Sequence, residues 1–403
     1  MAYDEVSQLR GTTAQISNYK GYPAQFVQNT ETGKMGVMQG DTAGNIKYLA
    51  NEEQLTPLAT KSYVDSILDT LVGNIPWYQR DKLFTVAKRS VTVHKGTQVS
   101  INGKLYVVSA DKTISLPSVG NGKDAYIYAC ASSTKEPILV ISPNSTVPDG
   151  YNAQNSRKIG GFHTLCASVG TIANHALSGY SAGDILPTSI WDLIHRPVSD
   201  PEGMVWVDAI NKWVQIYLPS WDGSKLVSRN GAVIVDGGSA HRCNGETFAY
   251  EAGLSKCHLI SRDEFTIAMR GTPEGVNIQG STDPNTTGGH TATNGQRIIS
   301  NYGIEDCAGV IWQWSRDIAE NYLGSTWSEA NFYLSGYQWK DKSVHNPEYD
   351  PVARGSCSGL VRRFRLGAYW VDGAFSGSRS VGCDDFSSRG VGGASSRLVS
   401  EPR

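Results

Sequence analysis

Short apolar runs and polar clusters alternate over residues 1–50. The clusters NTETG and GDTAGN have residue types that favour turns. The pattern therefore predicts strands of only about four to six residues. Strands this short bury little apolar surface, so we expect this segment to gain stability by oligomerisation.

A helical pattern follows within residues 51–75. Val64, Ile67, Leu68 and Leu71 recur at helical spacing and form one apolar stripe. A single short amphipathic helix needs a surface to pack against. The spacing fits two arrangements equally well: a helix lying on its own domain, or a helix packed around a symmetry axis. We interpret the segment as a linker helix.

Apolar and polar positions alternate with a period of two over residues 76–170. The stretch RSVTVHKGTQVSINGKLYVVSADKTISL has a hairpin signal at Asn102–Gly103, and the stretches DAYIYACA and EPILVIS continue the pattern. These features predict a small antiparallel β-sandwich.

The pattern becomes less regular from about residue 171, where loops lengthen and tryptophans become frequent. One helix is predicted in SRDEFTIAMRG, because Ser261 and Glu264 form a capping box and Gly271 follows the last apolar position. The stretch GVIWQWSRD places Val310, Trp312 and Trp314 on one face of a strand. This region is expected to be a scaffold that displays loops.

Composition excludes several classes of function. The chain has 403 residues, 43 glycines and a formal net charge of −2, so nothing in its charge favours nucleic acid or anionic membranes. No apolar run approaches the roughly 18 residues of a membrane helix, and no membrane insertion is expected. The start of the chain lacks an apolar signal core, which favours folding in a cytoplasm.

Candidate catalytic and metal-binding motifs are weak. The stretch GSCSG at 355–359 resembles a nucleophile elbow, but no histidine follows it in the chain. The histidines have no paired metal spacing, and a solvated acidic loop is preferred to a cation site at Asp384–Asp385. The seven cysteines form no CxxC motif and are interpreted as reduced, with one C-terminal disulfide left open. We expect no catalytic residue, no metal ligand and no cofactor, and a structural divalent cation stays open.

Three stretches resemble the formylglycine-generating-enzyme branch of the C-type lectin fold. They are HLISRDEFTIAMRG, DCAGVIWQWSRD and the ending RLGAYWVDGAFSGSRS with SSRLV. The resemblance implies an α+β C-type lectin fold near the C-terminus. The pair of active-site cysteines of that enzyme is absent from the closing segment, so the resemblance does not imply its oxidase activity.

The stretches LRGTTAQ, GVMQGDTAGNIKYLA, RKIGGFH and SIWDLIHRP resemble phage tail-fibre proteins of the major tropism determinant family. The resemblance implies a mostly β, multidomain homotrimer. Its parts would be an N-terminal β-prism at 1–50 near the virion, the linker helix, a β-sandwich at 76–170 and a C-type lectin domain at 171–403.

The same resemblance implies a variable region at about 366–400 that a retroelement diversifies. Alignment through Trp370, Arg379 and Arg397 places the receptor-binding positions at Tyr369, Val371, Asp372, Gly373, Phe375, Gly382, Asp384, Asp385, Arg389, Val391, Gly393 and Ala394. Trp312, Trp314, Trp370, Arg379 and Arg397 would be scaffold. Mutation of adenines in AAY codons cannot produce Trp, Gln, Met, Lys or Glu, and none of these occurs from Val371 to Ser400.

The expected function is that of a receptor-binding protein, not an enzyme, at the tip of a phage tail fibre. Its expected partners are a protein or glycan receptor on the host surface, other tail-fibre or baseplate proteins, and further copies of itself. Two alternatives stay open: a structural fibre or baseplate component that does not bind the receptor, and an enzyme of the formylglycine-generating type.

Overall fold

The computed structural model describes two parts of the chain in different detail. For the first part it gives the backbone of residues 9–11, 26–29, 35–38 and 46–48, and for the second it gives residues 82–320, 361–383, 387, 390 and 392–403. Residues Met1–Ile75 and Pro76–Arg403 form two compact units. The predicted linker helix and the GSCSG stretch lie outside the described residues.

The first unit contains a four-stranded sheet in chain order. Its strands are β1 (Leu9–Gly11), β2 (Phe26–Asn29), β3 (Met35–Met38) and β4 (Ile46–Tyr48). Strand β1 is parallel to β2, whereas β3 is antiparallel to both of its neighbours. The strands on either side of both turn-type clusters therefore pair with each other, and the predicted short strands are confirmed.

Strands β5–β13 form the first part of the second unit, in sheets ordered β5-β6-β9, β7-β8 and β11-β10-β12-β13. Their bounds are Phe84–Ala87, Ser90–Val93, Gln98–Ile101, Lys104–Val107, Lys112–Ser115, Asp124–Cys130, Ile138–Ser142, Ser156–His163 and Trp191–Asp192. The hairpin predicted at Asn102–Gly103 joins β7 to β8, and both of its turn residues have positive φ, 48° and 76°. Positive φ at both central residues is the signature of the type I′ turn.

These sheets enclose one hydrophobic core, to which Val91, Val99, Ile127 and Ile159 contribute from four strands. The Gly-Gly pair in RKIGGFH allows β13 to approach β12 closely. A Cβ atom on Gly160 would lie 2.4 Å from the Trp191 carbonyl oxygen. The sheet therefore extends to Asp192, beyond the expected boundary at residue 170.

In the remainder of the second unit, the described residues form strands β14–β23 and two α-helices. Strands β14–β17 span Met204–Val207, Lys212–Gln215, Pro219–Trp221 and Leu226–Ser228, and are followed by α1 (Gly245–Leu254), β18 (His258–Leu259) and α2 (Arg262–Ala268). Strands β19–β23 span Trp312–Glu320, Val361–Leu366, Val381–Gly382, Ala394–Ser396 and Leu398–Ser400. The sheets are ordered β14-β15-β23-β18, β16-β17 and β21-β20-β19-β22. No described helix is long and apolar enough to cross a membrane.

The capping box predicted for α2 is confirmed. The Ser261 hydroxyl accepts the Glu264 amide, and the Glu264 carboxylate accepts the Ser261 amide. Helix α1 was not predicted from the sequence, although Asn244 caps it by accepting the amides of Glu246 and Thr247. Its apolar positions form no clear helical stripe in the sequence, which explains why periodicity missed it.

A buried arginine joins the sheets of the C-terminal part. Arg397, between β22 and β23, is fully buried. Its guanidinium donates to Gln313 Oε1 at 3.1 Å and to four backbone carbonyls, those of Gln215, Ile216, Glu305 and Asp306. These bonds connect β15, β19 and the loop before β19. Because Arg presents five donors in a fixed plane, it can hold several backbone segments at once.

Candidate functional site

A sheet carries the residues expected to bind a receptor. Strand β19 lies between β20, with which it is antiparallel, and β22, with which it is parallel. Ala394 pairs with Trp312, and Tyr369 forms a parallel bridge with Val310 just before β19 begins. The chain after β20 therefore runs beside the start of β19, and residues 367–380, here called the 367–380 loop, cross this end of the sheet.

The backbone of the 367–380 loop is held by bonds within the loop. The Asp372 carboxylate accepts the Tyr369 amide at 2.9 Å. A short 3-10 helix spans Gly373–Phe375, and the Phe375 amide donates to the Asp372 carbonyl at 3.0 Å. An aspartate that closes a turn onto nearby amides stabilises it locally, so the loop has a defined conformation.

A second segment holds the loop from outside. The Glu274 carboxylate accepts the hydroxyl of Ser378 at 2.6 Å and its amide at 3.1 Å. The Gly275 amide donates to the Ser376 carbonyl at 2.7 Å, and the Asn277 side chain donates to the Trp370 carbonyl. Sequence reasoning missed Glu274 and Asn277, because about a hundred positions separate them from the loop and neither belongs to a recognisable motif.

Two large apolar side chains of the loop face solvent. Phe375 is 82% exposed and Val371 is 54% exposed. Asp372 and Gly373 lie between them in the sequence and are partly exposed. No atom lies within 4 Å of the place a Cβ would take on Gly373. Exposed aromatic side chains on an ordered backbone are typical of binding sites, since little side-chain entropy is lost on contact.

Tyr369 has a mixed environment. Its ring lies 4.9 Å from the Trp370 ring and 6.5 Å from the Trp312 ring, measured between centroids, and the side chain is partly buried. Both tryptophans are themselves half-buried. Tyr369 therefore combines packing with exposure, and its truncation would affect stability as well as binding.

Other expected receptor-binding positions differ in their accessibility. Gly382 lies in β21 and is partly exposed, but Ala394 is fully buried in β22 and its side chain offers no area to a receptor. Gly393 is buried with φ of +90°, and a Cβ there would lie 2.8 Å from the Trp370 ring. Four further positions lie outside the described residues: Asp384, Asp385, Arg389 and Val391.

The expected scaffold residues also differ in how far they are buried. Trp314 and Arg397 are fully buried. Trp312 lies under the Arg365 guanidinium, at 5.3 Å from the ring centroid. Arg379, which was also expected to be scaffold, is exposed. The adjoining Ser378 is the residue that Glu274 holds, so the anchoring side chain lies one position earlier.

A buried ionic cluster adjoins the carbonyls of Glu305 and Asp306 that Arg397 binds. His290 Nδ1 contacts the Asp306 carboxylate at 2.7 Å, and Arg297 binds Glu305 at 2.7 Å. Burial disfavours the charged imidazole, but the hydrogen bond and the charge of Asp306 outweigh it and raise the pKa of His290. Burial alone would raise the pKa of Asp306, yet His290 and the Gly288 amide hold it below its usual value. Both groups are therefore stabilised in their charged forms.

A separate cleft of about 510 Å³ is lined by residues of both signs of charge, among them Arg196, Asp200, Glu202 and Lys225. Burial raises the pKa of Glu202, whose carboxylate accepts the Tyr126 hydroxyl. None of the expected receptor-binding positions that the structure describes lines this cleft. It is therefore a surface feature distinct from the 367–380 loop.

The fold and the loop together define a class: a mostly β protein in which a rigid sheet presents exposed side chains on an ordered loop. Comparison with known proteins points to the same class of protein. Residues 81–192 match the family model of the Mtd second domain. The tail fiber receptor-binding protein of Bordetella phage BPP-1 is 28% identical over 368 residues, which are 83% of this chain and 90% of that protein.

Solved structures give the same result for the fold. The Major Tropism Determinant I1 variant matches with a TM-score of 0.66 at 24% identity, covering 98% of both chains. The P3c variant matches with a TM-score of 0.65 at 24% identity, covering 97% of this chain and 98% of the other. The whole chain is thus similar in fold to the Major Tropism Determinant variants, and residues 81–192 match the second domain of that family.

Proposed function

We propose that the protein is a phage tail-fibre receptor-binding protein that attaches the virion to a host cell through the 367–380 loop. The observation that carries this proposal is the exposure of Phe375 and Val371 above a backbone fixed by Asp372 and Glu274. Large apolar side chains held in place supply contact area at low entropic cost. The name of the relative from phage BPP-1, a tail fiber receptor-binding protein, supports the same function.

The proposed surface comprises the accessible positions Tyr369, Val371, Asp372, Gly373, Phe375 and Gly382, with Asp384, Asp385, Arg389 and Val391 as further candidates. Gly393 and Ala394 are left out because both are buried. Trp312, Trp314, Trp370 and Arg397 would support the surface from beneath. Variation by a retroelement fits this division at Val371, Gly373 and Phe375, whose side chains make none of the bonds that fix the loop, whereas the Asp372 carboxylate makes one of them.

We further propose that the protein acts as a homotrimer at the fibre tip, with an N-terminal β-prism, a β-sandwich and a C-type lectin domain. The short strands of the first unit support oligomerisation, because a sheet of strands this short buries little surface alone. Three receptor sites on one particle would raise the overall affinity by about 10²- to 10⁴-fold where the geometry permits. Other tail-fibre or baseplate proteins would anchor the trimer. The protein would not be an enzyme.

A binding experiment tests the proposed function. Purified full-length protein is labelled, added to cells that the phage infects and to resistant cells, and then used to compete with phage for adsorption. We expect saturable binding to susceptible cells only, together with inhibition of adsorption. Absence of both effects would favour a structural fibre or baseplate component instead.

A further inference from the structure

Three side chains with metal-binding atoms meet beside β16 and α1. His241 and Cys243 stand two positions apart in the loop before α1, and Glu251 lies in the helix itself. One ligand atom from each residue lies within 4.8 Å of the other two. His241 stands at a bend and Cys243 follows it two positions later, so this irregular loop brings both side chains to Glu251.

The loop that supplies two of these side chains is already ordered. The Asp236 carboxylate accepts the Gly238 and Ser239 amides at 2.8 and 2.7 Å, and the Cys243 amide donates to the Asp236 carbonyl at 3.0 Å. The His241 ring stacks on Trp221, with centroids 3.7 Å apart and planes 7° apart. The imidazole is thus positioned before any ligand arrives.

One carboxylate oxygen of the cluster lacks a well-formed hydrogen bond. Glu251 is only 3% exposed, and its Oε1 lies 2.8 Å from His241 Nε2. Its Oε2 is buried and has no partner among the described residues that meets hydrogen-bond geometry. A buried carboxylate oxygen without a partner is costly, so such an atom calls for a ligand or a proton.

The Cys243 thiol hydrogen-bonds the Glu251 carboxylate, but this contact offsets only part of the cost of burial. Burial, followed by the nearby Glu251 charge, raises the pKa of Cys243 well above that of a free thiol. Burial likewise raises the pKa of the Glu251 carboxyl. A divalent cation would stabilise a thiolate and a carboxylate at once.

We propose that His241, Cys243 and Glu251 form a zinc-binding site. Sulfur, imidazole nitrogen and carboxylate oxygen together are ligands that zinc accepts, whereas calcium and magnesium take oxygen ligands. The thiolate and the carboxylate balance the charge of Zn²⁺, and the thiol proton leaves to water on binding. Water would fill the fourth position, on the side where the partly exposed His241 meets solvent.

The geometry requires only small side-chain movements. Tetrahedral zinc with bonds of about 2.0–2.3 Å places its ligand atoms about 3.3–3.7 Å apart. The contact between His241 and Glu251 is 2.8 Å and must open, whereas the widest separation, within 4.8 Å, must close. Each change is on the order of 1 Å, within the reach of side-chain rotation.

A bound ion at this site would stabilise the sheet that carries the 367–380 loop. Asp236, which orders the loop of His241 and Cys243, also accepts the Gly393 amide at 2.9 Å through its second oxygen. Cys243 belongs to the same apolar cluster as Trp314 and Ala394. Sequence inspection missed the site because its third ligand comes from α1, which was not predicted. The proposal does not depend on receptor binding.

Metal analysis of the full-length protein tests the proposal. The protein is stripped with a chelator, supplied with zinc and measured for metal content, then supplied with cobalt and measured by absorption. We expect about one zinc ion per chain, and a charge-transfer band from thiolate to cobalt. Affinity should fall as the pH falls, because protons compete for the thiolate and the imidazole. Failure of the wild-type protein to take up zinc would overturn the proposal.

Substitutions of the three residues test which side chains bind the ion. Cys243→Ala should abolish the cobalt band, whereas Cys130→Ala, which removes another fully buried thiol, should leave it unchanged. Glu251→Gln and His241→Gln should each weaken zinc binding by at least about 10- to 100-fold, and they decide the question if Cys243→Ala does not fold. Zinc bound with wild-type affinity by Glu251→Gln and His241→Gln would show that the ion lies elsewhere and would contradict the proposal.

Discussion

The interior around Arg397 and the 367–380 loop differ in which atoms are held in place. In the interior a single side chain is fixed, since the Arg397 guanidinium donates to five acceptors in three segments. In the loop the backbone is fixed instead, by Asp372 and Glu274, while the side chains of Val371 and Phe375 extend into solvent. A residue can vary where its side chain has no partner, provided that its backbone does.

The largest effect is expected from Arg397→Met. The substitution fills part of the space but leaves the buried carbonyls without a donor, and each such group costs about 1–3 kcal/mol. We expect a loss of about 3–5 kcal/mol in the free energy of unfolding, measured by calorimetry on the full chain. Arg379→Met, at an exposed arginine, is the control and should change stability by less than about 0.5 kcal/mol. Similar small effects from both substitutions would contradict the distinction between the two regions.

A smaller, pH-dependent effect is expected from His290→Asn, at the ionic cluster beside the Arg397 contacts. The folded-state pKa of His290 is raised, so its contribution is fully present below the unfolded pKa of about 6.5 and is lost as the pH rises through the folded pKa. The folded pKa of Asp306 is lowered, so its contribution is lost as the pH falls through that value. The pair therefore stabilises the fold most between about pH 4 and 6.5.

Melting temperatures measured within this pH range and at pH 9 test the expected dependence. We expect His290→Asn to cost about 1–2 kcal/mol near pH 5.5 and less at pH 9. His94→Asn, which removes a histidine from an exposed contact with Asp111, is the matched control. A loss for His290→Asn that is independent of pH would mean that the imidazole acts through packing alone.

Local sequence signals predicted several elements correctly. The Asn102–Gly103 turn, the Ser261 capping box and strand β19 depend on residues within a few positions of one another, and all are confirmed. Contacts between distant segments could not be predicted in this way. The bond between Glu274 and Ser378 joins positions 104 apart, and no pattern in either segment indicates it.

Accessibility was the other property that the sequence could not supply. Family spacing placed Gly393, Ala394 and Phe375 together among the receptor-binding positions. In the fold, Ala394 pairs with Trp312 inside the sheet and Gly393 packs against Trp370, whereas Phe375 is exposed. Alignment gives the position of a residue along the chain, but burial depends on which strands become its neighbours.

The central claim is that the exposed side chains of the 367–380 loop bind the receptor without supporting the fold. The most direct test is the double variant Val371→Ala with Phe375→Ala, measured for melting temperature and for binding to susceptible cells. Val233→Ala is the control, because Val233 is 66% exposed elsewhere on the surface. We expect binding to weaken by at least about 30-fold, or roughly 2 kcal/mol, while stability changes by less than about 0.5 kcal/mol. Unchanged binding, or a collapse of the melting temperature, would contradict the claim.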